Sequence, residues 1–417
     1  MDEKQGSQDV AKQGLISYNS LSYKLPPDLS VTVSRSNTNQ FFSQNNYLAG
    51  GTAVNILNTG SAYIYGPNSY LAFTIINRSD GTVTFGQGTA VNLIKRLTIT
   101  TRSGDVIERI DNVNVLHYIT ARYGHSVTWQ NSIQFGELMG KGVQPIAPEA
   151  ELRVVIPLSE ISGLFRYQNL LPSCLMSGLR IEFEFEPALN ALVGAGPTTG
   201  LNYELKDVVI SADSYILTDL ILQQLNMSAS STRLEIVINT FFNTQASRAG
   251  NSNVNLESRK AVSRALRAFF KERPPKGIGA SNVDAFASLA VSTDGIIDAQ
   301  VRVGSLYFPN SSLRNSNPEH NAAELYAMTV RSFSTLGGDK AVGTSLTQYK
   351  TGHAVLGVAL ERSTSHDLAG IPISNSRVLA LNATFARAPA GGIATLIDFY
   401  LEHIVLIRAF LSNATQT

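Results

Sequence analysis

Short alternating runs of apolar and polar residues recur along the whole chain. "LSVTVSRS" (29–36) and "GLRIEFEFEP" (178–187) put every second side chain on one face, the period of a half-buried strand, and the strand-like run "YLAFTIINRSDG" (70–81) ends in a turn. In "LIKRLTITTRSGDVIERI" (93–110) two such runs flank Ser103-Gly104-Asp105, which predicts a hairpin. Apolar spacing turns helical in "DNVNVLHYITARYG" (111–124), predicting a short helix with Asp111 at its N-cap. The loop "GAGPTTG" (194–200) then leads to a long strand, "YELKDVVISADSYILTDLI" (203–221).

The second half repeats this programme without repeating the residues. Strands are predicted in "RLEIVINTFFN" (233–243), "DAQVRVGSLYFPNSSLRN" (298–315), "HAVLGVALERS" (353–363) and "SRVLALNATFARAP" (376–389). A short helix is predicted in "NAAELYAMTVRSF" (321–333), and the closing strand in "TLIDFYLEHIVLIRAF" (395–410). Many short strands with turn residues between them indicate sandwich or barrel architecture, here twice in tandem. The polar segment 222–232 reads as the linker between domains at 26–221 and 233–411. Residues 1–25 read as a flexible arm and 412–417 as a tail.

Length supports two domains, because 417 residues exceed the size at which one core keeps growing. Apolar residues make up 43% of the chain and charged residues only 16%, which suits a β-rich protein whose surface is largely covered by neighbours. A net charge of +1 argues against a nucleic-acid-coating protein and removes long-range repulsion between copies. The first twenty residues are polar, with no apolar secretory core, so a protein made inside the cell is expected, with its five Asn-x-Ser/Thr sequons unused. The most apolar segment, 392–411, holds Asp398, Glu402, His403 and Arg408, too many charges for a membrane span.

Candidate chemistry is sparse. Cys174 is the single cysteine, which excludes an internal disulfide and a multi-cysteine zinc site; its apolar neighbours predict a buried, inert thiol. Glu182, Glu184 and Glu186 share one strand face by period, whereas a glycosidase needs two carboxyls opposed across a substrate, so a solvated or subunit-facing surface is expected. "GAGPTTG" lacks the following helix and the Lys-Ser/Thr pair of a phosphate loop. The six histidines show no metal-binding spacing, and His320 reads as a cap or loop residue. No catalytic, cofactor-binding or metal-ligating residue is assigned.

One charge feature stands out. The stretch 257–276 carries Arg259, Lys260, Arg264, Arg267 and Lys271. Read as a helix it separates basic and apolar faces; read as a strand it alternates poorly. Either a solvated, salt-bridged face or a contact with a polyanion or an acidic neighbouring subunit would account for it. The run through Gly304, Tyr307, Phe308 and Pro309 is a strand that stops abruptly with no acid, base or ligand nearby.

Several of these stretches, in order and spacing, resemble the major capsid proteins of the double jelly-roll lineage, especially those of polinton-like viruses and virophages. They are "SGDVIERIDNVNVL" (103–116), "IPLSEISGLFRYQNLLPSCLMSGLRIEFEF" (156–185), "VRVGSLYFPNSSL" (301–313), "AELYAMTVRSF" (323–333), "VALERSTSHDLAGIPISNSRVLALNATF" (358–385) and "DFYLEHIVLIRAF" (398–410). The resemblance implies an all-β chain of two tandem jelly-roll sandwiches with a few short helices in loops. It implies a virion protein made in the host cell, whose homotrimers form pseudo-hexagonal capsomers of an icosahedral shell around double-stranded DNA. Penton and minor or cement proteins would be its other partners, with at most non-specific DNA contact and no cofactor.

On the same resemblance, Lys4 and Lys12 of the arm would lie at the inner base. Gly304 would allow a bulge or close backbone approach, Tyr307 and Phe308 would fill a core edge or subunit contact, and Pro309 would stop edge pairing. Two rival readings are a minor capsid or spike sandwich binding a receptor or glycan, and a β-rich glycoside hydrolase using Glu182 or Glu184.

Overall fold

The computed structural model describes residues 32–409 except 87, 131–137, 141–144, 195–199, 220, 223–233, 249–252, 259, 274–295, 309–317, 334–342, 361–369, 375–376 and 386–393. Its sixteen principal strands fall into two sets of eight, each folded as a two-sheet sandwich, and Val83–Thr84 pairs separately with Val193–Gly194. The first set comprises β1 (Thr32–Phe41), β2 (Thr52–Ile56), β3 (Tyr63–Asn77), β4 (Ile94–Thr100), β5 (Val106–Asp111), β6 (Glu151–Pro157), β7 (Arg180–Phe185) and β8 (Tyr203–Leu217). The second comprises β9 (Leu234–Arg248), β10 (Asn253–Ser258), β11 (Val262–Arg273), β12 (Ile296–Val303), β13 (Leu306–Phe308), β14 (Leu356–Ala359), β15 (Leu379–Phe385) and β16 (Thr395–Ala409).

Strand order identifies the architecture. The first domain pairs β1-β8-β3-β6 in one sheet and β2-β7-β4-β5 in the other. The second pairs β9-β16-β11-β14 and β10-β15-β12-β13, the same order displaced by eight strands. This is jelly-roll topology, and it occurs twice. Short additional strands at Asn46–Leu48 and Leu170–Leu171 extend the first sheet, and Ile371–Ile373 extends the third.

Alternation explains the inner faces. In β7, Ile181, Phe183 and Phe185 are buried while Glu182 and Glu184 are partly exposed. Phe183 meets Phe42 at 6.2 Å between ring centres, and Phe185 meets Tyr47 at 5.9 Å, tying β7 to the segment after β1. In the second domain Phe270 of β11 stacks on Phe399 of β16 at 4.7 Å. Each buried ring contributes roughly 2–3 kcal/mol of transfer free energy.

Two longer helices occupy the same connection in each domain, between its fifth and sixth strands. They are α1 (Val113–Tyr123) and α2 (Pro318–Phe333). Asn112, not Asp111, caps α1: Asp111 remains in β5, paired with Arg96, and the chain reverses at Asn112 in the left-handed conformation (φ 51°). Asparagine tolerates that conformation better than most residues.

Residues 262–273 of the basic stretch form strand β11, not a helix. Its poor alternation has a cause: the strand is covered on both faces, so Ala268, Phe269, Phe270 and Lys271 are all buried in succession.

Candidate assembly surfaces and the seam between domains

Both domains contribute to a buried seam, and polar side chains dominate it. Glu108 of β5 is 1% exposed. One carboxylate oxygen accepts from Thr240 Oγ1 of the second domain (2.6 Å) and from the Gly163 amide (2.8 Å); the other accepts from Ser162 Oγ (2.5 Å). A buried carboxylate needs such partners to offset lost hydration. Gly163 is required for a second reason, because a Cβ there would sit 1.9 Å from the Asn239 carbonyl oxygen. The two backbones approach too closely for any side chain.

Farther along the seam, Asn112 gathers three elements. Its amide donates to Asn243 Oδ1 (3.1 Å) and Asp398 Oδ1 (3.4 Å), and its carbonyl accepts from the Tyr400 hydroxyl (2.8 Å). Asp398, wholly buried, also accepts from Gln245 Nε2 (2.9 Å) and pairs with Arg273. Burial opposes the Arg273 charge, but the Asp398 carboxylate outweighs it and leaves the guanidinium pKa raised. Burial also pushes the Tyr400 hydroxyl well above its usual value.

Aromatic contacts close the far end. Tyr123 of α1 stacks on Phe333 of α2 at 5.8 Å, and Phe333 stacks on Phe269 of β11 at 4.6 Å. Tyr123 donates to the His353 carbonyl (2.6 Å), while the Tyr118 hydroxyl meets His353 Nδ1. Burial, with the Arg122 and Lys271 charges beyond it, lowers His353 to about 3. That imidazole is neutral at ordinary pH.

The structure separates the basic residues of 257–276. Lys271 is fully buried, with its ammonium 4.5 Å from the centre of the Tyr118 ring, so it is not available to a polyanion outside the protein. Its place on the seam-facing side of β11, directly opposite Asp398, accounts for the difference. Arg267 is half-buried and pairs with Glu402 at 3.1 Å. Lys260, 5.7 Å from the centre of the Phe242 ring, and Arg264 are exposed. Lys4, Lys12 and Arg259 lie outside the described residues.

Gly304 makes a turn rather than a bulge, and its backbone amide donates to the Val378 carbonyl at 3.2 Å. With Ser305 it forms a two-residue hairpin turn between β12 and β13, pairing Val303 with Leu306. Its φ of 62° suits glycine at the first central position of such a turn. Phe308 packs at the core margin, whereas Leu306 and Tyr307 are 43% and 40% exposed. Pro309 lies outside the described residues.

Other candidates resolve in structural terms. Glu182 pairs with Arg180 and Glu184 with Lys95 and Arg96, all on the outer face of β7 and β4. Glu186 departs from that row: it lies just past the end of β7 and is buried, where Asn114 and Asn190 donate to it at 2.8 and 2.9 Å. A groove of about 710 Å³ runs beside Thr98, Thr100, Arg102, Arg180 and Glu182, with Glu182 the one carboxylate in its lining. Among the described residues no group of three His, Cys, Asp or Glu side chains could hold a metal ion. Cys174 is exposed rather than buried, because it lies on the outer side of the short helix Ser173–Met176. The Asn77 amide is buried and donates to the Ile146 and Gly81 carbonyls. No described helix is long and apolar enough to cross a membrane.

Sequence reasoning missed the seam. The available signal was Lys271 and Arg273 alternating with Phe270 and Glu272 inside a strand otherwise built for burial.

No family model and no curated protein sequence matches the chain. Solved structures do. The Faustovirus major capsid protein superposes with a TM-score of 0.66 at 9% identity, over 96% of this chain and 96% of that one. The chain has the double jelly-roll fold. A quasi-atomic model of the PBCV-1 virus capsid shares this double jelly roll with a TM-score of 0.61 at 11% identity, covering 94% of this chain and 98% of that one. The Sputnik virophage structure gives 0.52 at 8% identity, covering 97% and 94%. At these identities the shared property is the fold.

Proposed function

We propose that this chain is a major capsid protein, a structural subunit rather than an enzyme. Three copies form a pseudo-hexagonal capsomer, and capsomers tile an icosahedral shell around double-stranded DNA. The doubled jelly roll carries this reading: it spans the described chain end to end, and its neighbours in fold include the Faustovirus capsid subunit at 96% mutual coverage. Two sandwiches locked side by side by a buried seam make a subunit of doubled outline, and three such subunits offer six sandwiches to a hexagonal lattice.

Composition supports the same reading. Few charges suit a surface covered by neighbours, and near-neutrality suits non-specific contact with DNA rather than condensation of it. The chain is its own first partner, with penton and minor or cement proteins next, and the virion is its place after synthesis in the host cell. Residues 1–25, carrying Lys4 and Lys12, serve as an arm at the inner base. The linker 222–232 joins the domains, 412–417 forms a tail, and Arg259, Lys260 and Arg264 remain the candidates for an acidic neighbour or polyanion.

Light scattering on the purified chain tests the reading. The expected mass is three times the 45.0 kDa chain or a larger assembly, with hexagonal outlines in electron micrographs. A stable monomer at micromolar concentration overturns it.

A further inference from the structure

The seam inside the chain joins two unlike surfaces, and each domain retains an open version of the surface it did not use. On the donor side stands β5, where Glu108 reaches Thr240. On the receiving side stands β9 over Asn239–Asn243, the stretch that pairs with Tyr400–Ile404, the sixth to tenth residues of the 15-residue β16.

Counting along the repeated topology locates the open counterparts. The second domain's equivalent of β5 is β13, which among the described residues pairs with β12 alone and leaves Leu306 and Tyr307 43% and 40% exposed. The first domain's equivalent of the receiving stretch lies opposite the sixth to tenth residues of β8, Val208–Ala212; there β1 places Thr38 against Ala212 and Phe41 against Val209. Phe41 is 75% exposed, and Leu48, farther along the same edge, is 66% exposed. Exposed rings and leucines on an edge that no described strand covers are what a chain ordinarily buries against a partner.

We propose that β13 of one copy, through Leu306 and Tyr307, seats on the Thr38–Phe41 edge of β1 in a second copy, repeating between chains the contact that β5 makes with β9 within one. The occupant is another copy of this chain because the matching surface is already present on it, in the role filled inside the chain by the same strand of the other domain. Joining a second-domain edge to a first-domain edge is a heterologous contact, so it propagates around a ring and closes when the rotation permits. The contact rests on the assembly reading above and specifies which surfaces carry it.

Site-directed cross-linking tests the pairing. In a Cys174→Ser background, Phe41→Cys and Tyr307→Cys are introduced together and singly, and each assembled protein is treated with a short bismaleimide. The doubly substituted chain is expected to give covalent dimers and trimers, and each singly substituted chain to remain a monomer on a denaturing gel. Dimers from either single variant mean a like-to-like contact and overturn the proposal. An oligomer of normal mass that yields no cross-link overturns this contact while leaving assembly standing; a monomer in solution overturns both. As a second measure, Tyr307→Glu is expected to raise the concentration needed for assembly about tenfold or more, the penalty for placing a charge on an apolar contact.

Discussion

Glu108 and Thr240, 132 positions apart and in different domains, share a 2.6 Å hydrogen bond inside the seam. The bond is one of three strong contacts to a single buried carboxylate, and the other two come from the Ser162–Gly163 turn. Seam and turn therefore depend on the same side chain. Glu108→Ala removes the acceptor from four buried donors, the Leu164 amide at 3.5 Å being the fourth, and is expected to cost about 2–4 kcal/mol. Denaturant unfolding with an intact m-value checks the figure, and an effect below about 0.5 kcal/mol would contradict the seam's role.

Gly163 provides a steric test of the same contact. A Cβ at 1.9 Å from the Asn239 carbonyl cannot be absorbed without parting the domains. Gly163→Ala is expected to destabilise by about 2 kcal/mol or more and to expose the seam to hydrogen exchange. Gly200→Ala, where nothing lies within 4 Å, is the matched control and should be nearly neutral.

The Arg273–Asp398 pair makes a different prediction. Both groups are essentially excluded from solvent. Removing one partner strands a charge, so Arg273→Met alone or Asp398→Leu alone is expected to cost about 3–5 kcal/mol. Replacing both, as Arg273→Met with Asp398→Leu, is expected to recover at least half of that loss. Thermal unfolding of the two single variants and the double variant supplies the comparison, and strict additivity would be the contrary result.

Acid sensitivity follows from the histidines. Burial lowers His117 and His403 to about 4, and His353 to about 3, against 6.5 when unfolded. Between those values the unfolded chain binds more protons than the folded one, so stability rises with pH. It is complete above about 6.5 and falls as the pH drops toward 4. A melting temperature that declines over pH 6.5–4 is expected, with a shallower decline in His353→Gln. A flat profile over that window would count against neutral buried imidazoles.

Much of the fold was legible because strand periodicity is local. Alternation in 178–187, the turn at Ser103-Gly104-Asp105 and the helical spacing after Asn112 each depend on neighbours in sequence. The stretch 257–276 was less legible, since a strand covered on both faces carries no alternation, and its basic residues were divided by contacts made far along the chain. Lys271 went inward beneath the Tyr118 ring while Arg264 stayed outside. Glu186 broke from the row of Glu182 and Glu184 because it lies past the last residue of the strand, where the two-residue period no longer sets its direction. Cys174 turned outward despite apolar neighbours, because a one-turn helix sets its direction independently of them.

By itself the sequence determined two successive β programmes and their turns, because side-chain period and turn chemistry act within a few residues. Tertiary structure alone decided which polar groups are buried, which described edges stay open, and that Glu108 of the first domain bonds to Thr240 of the second. Those outcomes depend on where distant strands meet, and a buried charge is tolerated only where its partners arrive from elsewhere in the chain.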